Sequence, residues 1–453
     1  MEHNKCTFYS KKGFQITMST ILSKIKLLQI PKNGIVIFFV IITPFLVDQL
    51  NGFIKFHLHS NLSVSQYYKA VIILLMVTYV VFKFNQYSIK LIIVLSVMTL
   101  ITIGCIKYSN QAHFQIDYFK IIRYNLRLLF MPISYTFFVT FFKSHSFSVK
   151  QFYRSLEIVF YVFFIAVFLS LFGFGIPTYA FYLRTTGETI GYSGYFISTN
   201  EIGAVLIAIF SFILYRHLVH KQTLIYIIAA LIISVLIGTK TMYASFIVIV
   251  ILLIYNKFKF NNFKISSFKI KRIWAIILSF LPLIAFIITI VFYDFIKPSI
   301  NRIITKINEH DNLLNFLTSS RLTRIEPTYN VLLDKANWAN YLFGYGHDSY
   351  YIINRSIYKY FGAIEIDFFD ILGVTGILGT GFIYLIWTHL FFKIRKSFYL
   401  KKNDISIPMF VCVVLLAIIS FVTGHVLTSS LGGILFGYIF AFNTKIRNES
   451  INS

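Results

Sequence analysis

The sequence predicts an all-α polytopic membrane protein with roughly twelve transmembrane helices and one large extracytoplasmic loop. Three observations carry this expectation. Mean hydropathy is +0.73 and only 13% of the 453 residues are charged, far from the balance of a soluble domain. Apolar runs such as 224–236 and 246–255 are continuous, which suits helices crossing at about 20 residues each rather than the alternating segments of a barrel. Lysine and arginine also concentrate in alternate loops.

Residues 1–33 are basic and only patchily apolar, with no short apolar core leading to a small-residue cleavage site, so a cytoplasmic tail is expected, with an interfacial helix around 21–30. Nine spans are expected between 34 and 293, near 34–50, 66–82, 88–106, 121–142, 155–175, 200–218, 222–238, 241–256 and 273–293. An extracytoplasmic loop of roughly 70 residues, 294–368, follows, and a loop of that length in a compact protein is usually functional. Three more spans, near 369–392, 407–424 and 429–443, lead to a short tail, 444–453.

The formal charge of +25 could suggest nucleic acid, but its distribution points elsewhere. Lys83 and Lys90, Lys143 and Lys150, Arg216 and Lys221, the cluster from Lys257 to Arg272, Lys393 to Lys402, Lys445 and Arg447 all fall on one side of the twelve-span scheme. That is the positive-inside pattern, with both termini cytoplasmic and no nucleic-acid partner expected. Cys6, Cys105 and Cys412 lie far apart, which leaves neither a disulfide framework nor a zinc cluster. His57 and His59 have no acid or cysteine beside them, so no metal site is expected there.

The other side of the scheme collects a few conspicuous charges. Arg184, Glu188, Asn200 and Glu201 lie in the loop after the fifth span, where Thr199 could simply cap the next helix. Arg321 and Arg324 are three residues apart and would share a helical face, able to grip a polyanion together or to pair with loop acids such as Glu326. Arg123 and Arg127 share one face of the fourth span, where a charge at a helix centre costs about 2.5–3.5 kcal/mol, less if it snorkels. Lys240 sits at a tight turn, as ligand-binding cation or interfacial anchor. A cation cluster at one membrane face suits an anionic ligand anchored in lipid, such as a polyprenyl diphosphate. His347 with Asp348 could be a base and its orienting partner or a surface turn, and Tyr341, Tyr345, Tyr350 and Tyr351 could stack on sugars or anchor at the interface.

Three stretches give the chain a family likeness. These are "RTTGETIGYSGYFISTNEIGA" with Arg184, Gly187, Asn200 and Ala204; "SSRLTRIEPTYNVLLDKANWANYLFGYG" with Ser320, Arg321, Trp338, Gly344 and Gly346; and "EIDFFDILGVTGILG". In these the chain resembles the O-antigen polymerase and O-antigen ligase superfamily, most closely the polymerases of capsular polysaccharide. Ligases of that family usually place a histidine where Glu365 stands here, followed by Asp367, a departure that favours polymerase. The resemblance implies a C-type glycosyltransferase-like fold in the bacterial cytoplasmic membrane, active on its outer face. The implied reaction joins undecaprenyl-diphosphate-linked repeat units without metal or cofactor, alongside a flippase and a chain-length regulator. It implies Arg321, Arg184 and Arg324, then Arg127, Arg123 and Lys240, as ligands of the diphosphate, and Glu365 as base, with Asp367, Glu188 and His347 as alternatives. A ligase, or a flippase for the same lipid-linked oligosaccharide, is the competing expectation.

Overall fold

The computed structural model describes residues 32–60, 62–109, 117–179, 190–219, 225–260, 293–308, 312–334, 336–359, 362–400 and 405–452. Almost all of them are helical, and no strand occurs among them beyond a lone antiparallel bridge between Pro177 and Tyr192.

The chain enters through α1, Lys32–Ile37, a π-helical turn, Phe38–Ile42, and α2, Thr43–His57. The widened turn precedes Pro44, which brings no N–H, and Thr43 Oγ1 donates instead to the carbonyls of Phe38 and Phe39 at 2.9 and 2.7 Å. Next come α3, Val64–Phe82, α4, Gln86–Ser109, α5, Tyr118–Ser144, α6, Val149–Ser170, α7, Thr199–Val219, α8, Ile225–Ile237, and α9, Lys240–Phe260. Five shorter helices follow: α10, Tyr293–Asn308, α11, Leu313–Thr318, α12, Ile325–Asp334, α13, Trp338–Phe343, and α14, Gly346–Tyr358. Three long ones close the chain: α15, Asp367–Leu400, α16, Ser406–Val422, and α17, Ser430–Asn452.

Among the described residues, seven helices are long and apolar enough to cross a membrane: Gly34–His57, Val64–Phe82, Gln86–Tyr108, Tyr118–Ser144, Val149–Ser170, Thr199–His217 and Asp367–Tyr399. The expected span at 273–293 lies almost wholly outside the described residues. The helix at the centre is α5, with 89% of its apolar window buried. Along it runs α17, whose Gly433 and Gly437 form a small-xxx-small pair; a Cβ on Gly437 would meet Ser134 Cβ at 2.5 Å and Tyr135 N at 2.6 Å.

Hydrogen bonds show which helix ends lie together. His57 Nε2 pairs with Tyr195 Oη at 2.8 Å, Lys240 Nζ donates to the Phe316 carbonyl, and Asp367 binds the turn between α16 and α17. The segments around 57, 195, 240 and 425 and the described residues between 293 and 366 therefore share one end of the bundle, called here the loop end. The opposite end carries Lys143, His145, Lys445 and Glu449 around a separate depression.

Candidate functional site

The loop end contains a cavity of about 850 Å³. Helical spacing builds two of its walls. Lys120, Arg123, Tyr124 and Arg127 recur every three to four residues along the first turns of α5, and His347, Tyr351 and Arg355 recur every four along α14. The third wall is the start of α15, with Asp370 and Val374, together with His425 and Thr428 from the turn between α16 and α17.

Each acid in this lining is engaged within the wall. Asp348 accepts from Lys120 Nζ at 3.0 and 3.3 Å and from Asp117 N at 3.0 Å, while Asp117 caps α5 through Lys120 N at 3.3 Å. Asp370 accepts from Tyr350 Oη at 2.7 Å and from the amides of Ile364 and Glu365, both at 2.9 Å. The arginines differ. Among the described residues Arg123 donates to the neutral Gln66 Oε1 at 3.2 Å, and Arg355 lies 4.9 Å from the ring centre of Tyr351. Arg127 forms neither a hydrogen bond nor an ion pair among the described residues, and its side chain is half-buried in the wall. The cavity thus presents three guanidinium groups with no carboxylate partner of their own.

His347 projects between Tyr124 and Tyr351, ring centres 5.2 and 5.4 Å away. Burial, reinforced by Arg127, pushes its imidazole down to about 4, so it is neutral near pH 7. Its Nδ1 is buried and unpaired among the described residues.

Arg321 and Arg324 are buried and meet on one acid, Glu365. Arg321 Nε and Nη2 both reach Glu365 Oε2 at 3.0 Å, and Arg324 Nη1 is 3.7 Å from the same oxygen. Burial disfavours the charge on Glu365, but Arg321, His425 and Arg324 outweigh it and hold the carboxyl below its ordinary value. The backbone here is unusual. Ser319, Ser320, Glu365 and His425 all adopt positive φ without being glycine, and Gly424, at φ +63°, stands where a Cβ would lie 2.5 Å from the Glu365 carbonyl. This cluster backs onto the cavity through Asp370 and His425 rather than lining it.

The remaining expected residues are dispersed. Asp367 accepts from the amides of His425, Val426 and Leu427 at 2.7–2.9 Å and from Ser420 Oγ at 3.0 Å, so it posts the inter-helix turn in position. The ammonium of Lys240 rests over the Phe316 ring, 4.1 Å from its centre. Asn200 stands in the first turn of α7, and the adjacent Glu201 is the one that faces a cavity. Arg184 and Glu188 lie outside the described residues. Of the tyrosines, Tyr350 and Tyr351 line the large cavity, Tyr345 donates to the Leu332 carbonyl, and Tyr341 is exposed.

A second cavity of about 270 Å³ lies beside the first, and Arg127 lines both. Lys69 Nζ donates to Asp48 Oδ2 at 2.8 Å and to Ser430 Oγ at 3.3 Å, and Ser65 Oγ donates to the other Asp48 oxygen. Glu201 Oε1 accepts from Ser429 Oγ at 2.6 Å and Leu431 N at 2.8 Å. No group of three or more His, Cys, Asp or Glu side chains that could hold a metal ion occurs among the described residues. No family model matches the chain, and no curated protein matches it significantly.

Several site residues were missed by sequence reasoning, each with a signal at hand. Asp48 and Lys69 are charges inside apolar spans, a placement that tends to mark function. Arg355 completes the four-residue repeat begun by His347 and Tyr351. His425 interrupts two apolar runs with a polar turn.

Proposed function

We propose that the protein is a membrane glycosyltransferase that polymerises undecaprenyl-diphosphate-linked oligosaccharide repeat units into capsular or O-antigen-like polysaccharide. In this reading twelve spans cross the bacterial cytoplasmic membrane, both termini are cytoplasmic, and the loop end faces outward. The observation that carries it is Arg127, a half-buried guanidinium left without an anionic partner among the described residues, on a cavity it shares with Arg123 and Arg355. Cations held unpaired in a part-buried wall are suited to a ligand that brings negative charge. A lipid diphosphate does so, and its prenyl chain requires a site within reach of the bilayer.

The diphosphate is also the leaving group. As the bond from the anomeric carbon breaks, charge accumulates on the departing phosphate oxygen, and guanidinium groups already in place stabilise it without reorganising. Arg127 and Arg123 are assigned to that clamp, with Arg355 beside them. Arg321 and Arg324, expected as its first members, are assigned to bracing through Glu365, because that acid already occupies them. The same pairing makes Glu365 a weak proton acceptor.

Purified protein given lipid-linked repeat units, without added nucleotide, should release free carrier diphosphate and build a ladder of products. Units that cross a bilayer unchanged would point to a flippase, and a single transfer to another acceptor to a ligase. Arg127→Gln should lower turnover on the order of 10²-fold or more while leaving the folded protein in the membrane. Normal ladders from that variant would remove the clamp.

A further inference from the structure

We infer that the smaller cavity is the acceptor subsite of the same reaction, with Glu201 taking the proton from the attacking sugar hydroxyl. The inference rests on the glycosyl-transfer reading above and adds a place for the second substrate.

A polymerase of this kind must hold two lipid-linked molecules at once, one leaving as diphosphate and one attacking through a neutral hydroxyl. The two cavities both carry charges of each sign and differ in how those charges are engaged. In the larger one, arginines without carboxylate partners favour an anion. In the smaller, Asp48 and Glu201 stand with Lys55, Lys69 and Arg127, and Asn51, Ser65 and Ser430 add neutral donors and acceptors. Lys69 pairs with Asp48 at 2.8 Å, whereas Glu201 forms no ion pair of its own among the described residues, although Lys69 and Arg127 both lie close enough to act on its charge. With the diphosphate assigned to the guanidinium groups of the larger cavity, the acid, amide and hydroxyl groups of this one are of the kind that bind sugar hydroxyls.

Glu201 is oriented for proton transfer, with one oxygen engaged and the other free among the described residues, unlike Glu365, whose Oε2 is covered by two guanidinium groups. One oxygen, Oε1, is fixed by Ser429 and Leu431 N, which orients the carboxylate. The other, Oε2, has no hydrogen-bond partner among the described residues and belongs to a cavity-lining side chain. Arg127 stands between the two spaces and so marks where the reacting atoms of donor and acceptor meet. In the step itself, a lone pair of the acceptor hydroxyl forms the new bond to the donor's anomeric carbon. The bond from that carbon to the diphosphate oxygen breaks, its electron pair leaves with the diphosphate, and the hydroxyl proton passes to Glu201 Oε2.

The test separates donor binding from transfer. Wild type and Glu201→Gln are compared for binding of labelled undecaprenyl diphosphate and for rate against rising concentrations of lipid-linked acceptor. Glutamine can keep both hydrogen bonds at Oε1 but cannot take a proton, so the variant should bind the diphosphate like wild type while kcat falls by about 10²- to 10⁴-fold. Acceptor KM should change little, since the loss belongs to the transition state. Ser198→Trp, at an exposed position on the rim of the same cavity, should raise acceptor KM and leave diphosphate binding intact. If wild type fails to bind undecaprenyl diphosphate or to polymerise, the underlying functional reading falls. If wild type does both and Glu201→Gln turns over at full rate, Glu201 is not the base. If Glu201→Gln does not fold, Ser198→Trp decides the subsite, and an unchanged acceptor KM overturns it.

Discussion

Arginines of one chemical type divide into two roles according to what surrounds them. Arg321 and Arg324 share the Glu365 carboxylate, and burial makes that pairing hard to give up, because removing one partner of a buried pair strands the other charge at a cost of about 3–5 kcal/mol. Arg127 has no such acid among the described residues and faces two cavities. His347 feels Arg127 directly, and its titration gives a test independent of turnover. Its imidazole titrates near 4 in the folded protein against an ordinary 6.5, so between those values the folded chain binds fewer protons than the unfolded one. The stability this contributes is fully present above about 6.5 and is lost as pH falls towards 4. Wild type should therefore lose more melting temperature between pH 7 and pH 5 than His347→Gln does. Parallel losses in the two proteins would mean that the imidazole is not shielded as described.

At the scale of elements, glycines settle how closely helices approach. The "YLFGYG" turn ahead of α14 presses against α15, where Tyr345 N donates to the Gly373 carbonyl at 2.9 Å. A Cβ on Gly344 would lie 2.3 Å from the Val374 carbonyl, and one on Gly376 would lie 2.4 Å from that of Leu342. Gly376, at φ +66°, also kinks α15. The segments around Gly344 and Gly376 thus pack on each other, and these two glycines are explained by that backbone contact. The same logic applies between α5 and α17. Gly437→Ala should lower stability by about 1–3 kcal/mol, read as a fall in melting temperature in detergent, because the added methyl meets main chain that cannot swing aside. An unchanged melt would show that these helices do not touch there. Periodicity made much of this architecture legible: helices stand at the positions of the apolar runs that fall on described residues. It also put Arg123 and Arg127 on one face, since that depends only on spacing within a helix. It could not show that Arg321 meets Glu365, 44 positions away, or that Glu201 meets Ser429, 228 positions away, because those contacts are made by helix packing rather than by local order.

Across the whole molecule, the charge pattern and the packing bear on one another. Lys143 and Lys445 lie around one depression, while Arg123, Arg127, Arg321, Arg324 and Glu365 lie at the other end with the described residues between 293 and 366. Net basicity at one end is what orients a polytopic chain, whereas arginines mixed with acids and aromatics at the other are poorly explained by orientation alone. In the orientation proposed above, which the positive-inside rule favours, Lys143 and Lys445 face the cytoplasm and the two cavities face outward. In a background with cysteines removed, single cysteines at Leu317 and at Lys396 should divide between the two faces. Leu317 is exposed in the loop end, and Lys396 belongs to the lysine-bearing stretch near the far end of α15. A membrane-impermeant maleimide added to intact cells should label the Leu317→Cys protein and reach Lys396→Cys only after the membrane is opened. The reverse pattern would turn Arg127 towards the cytoplasm, away from the face at which polymerisation is proposed, and would favour a cytoplasmic ligand for the same cations.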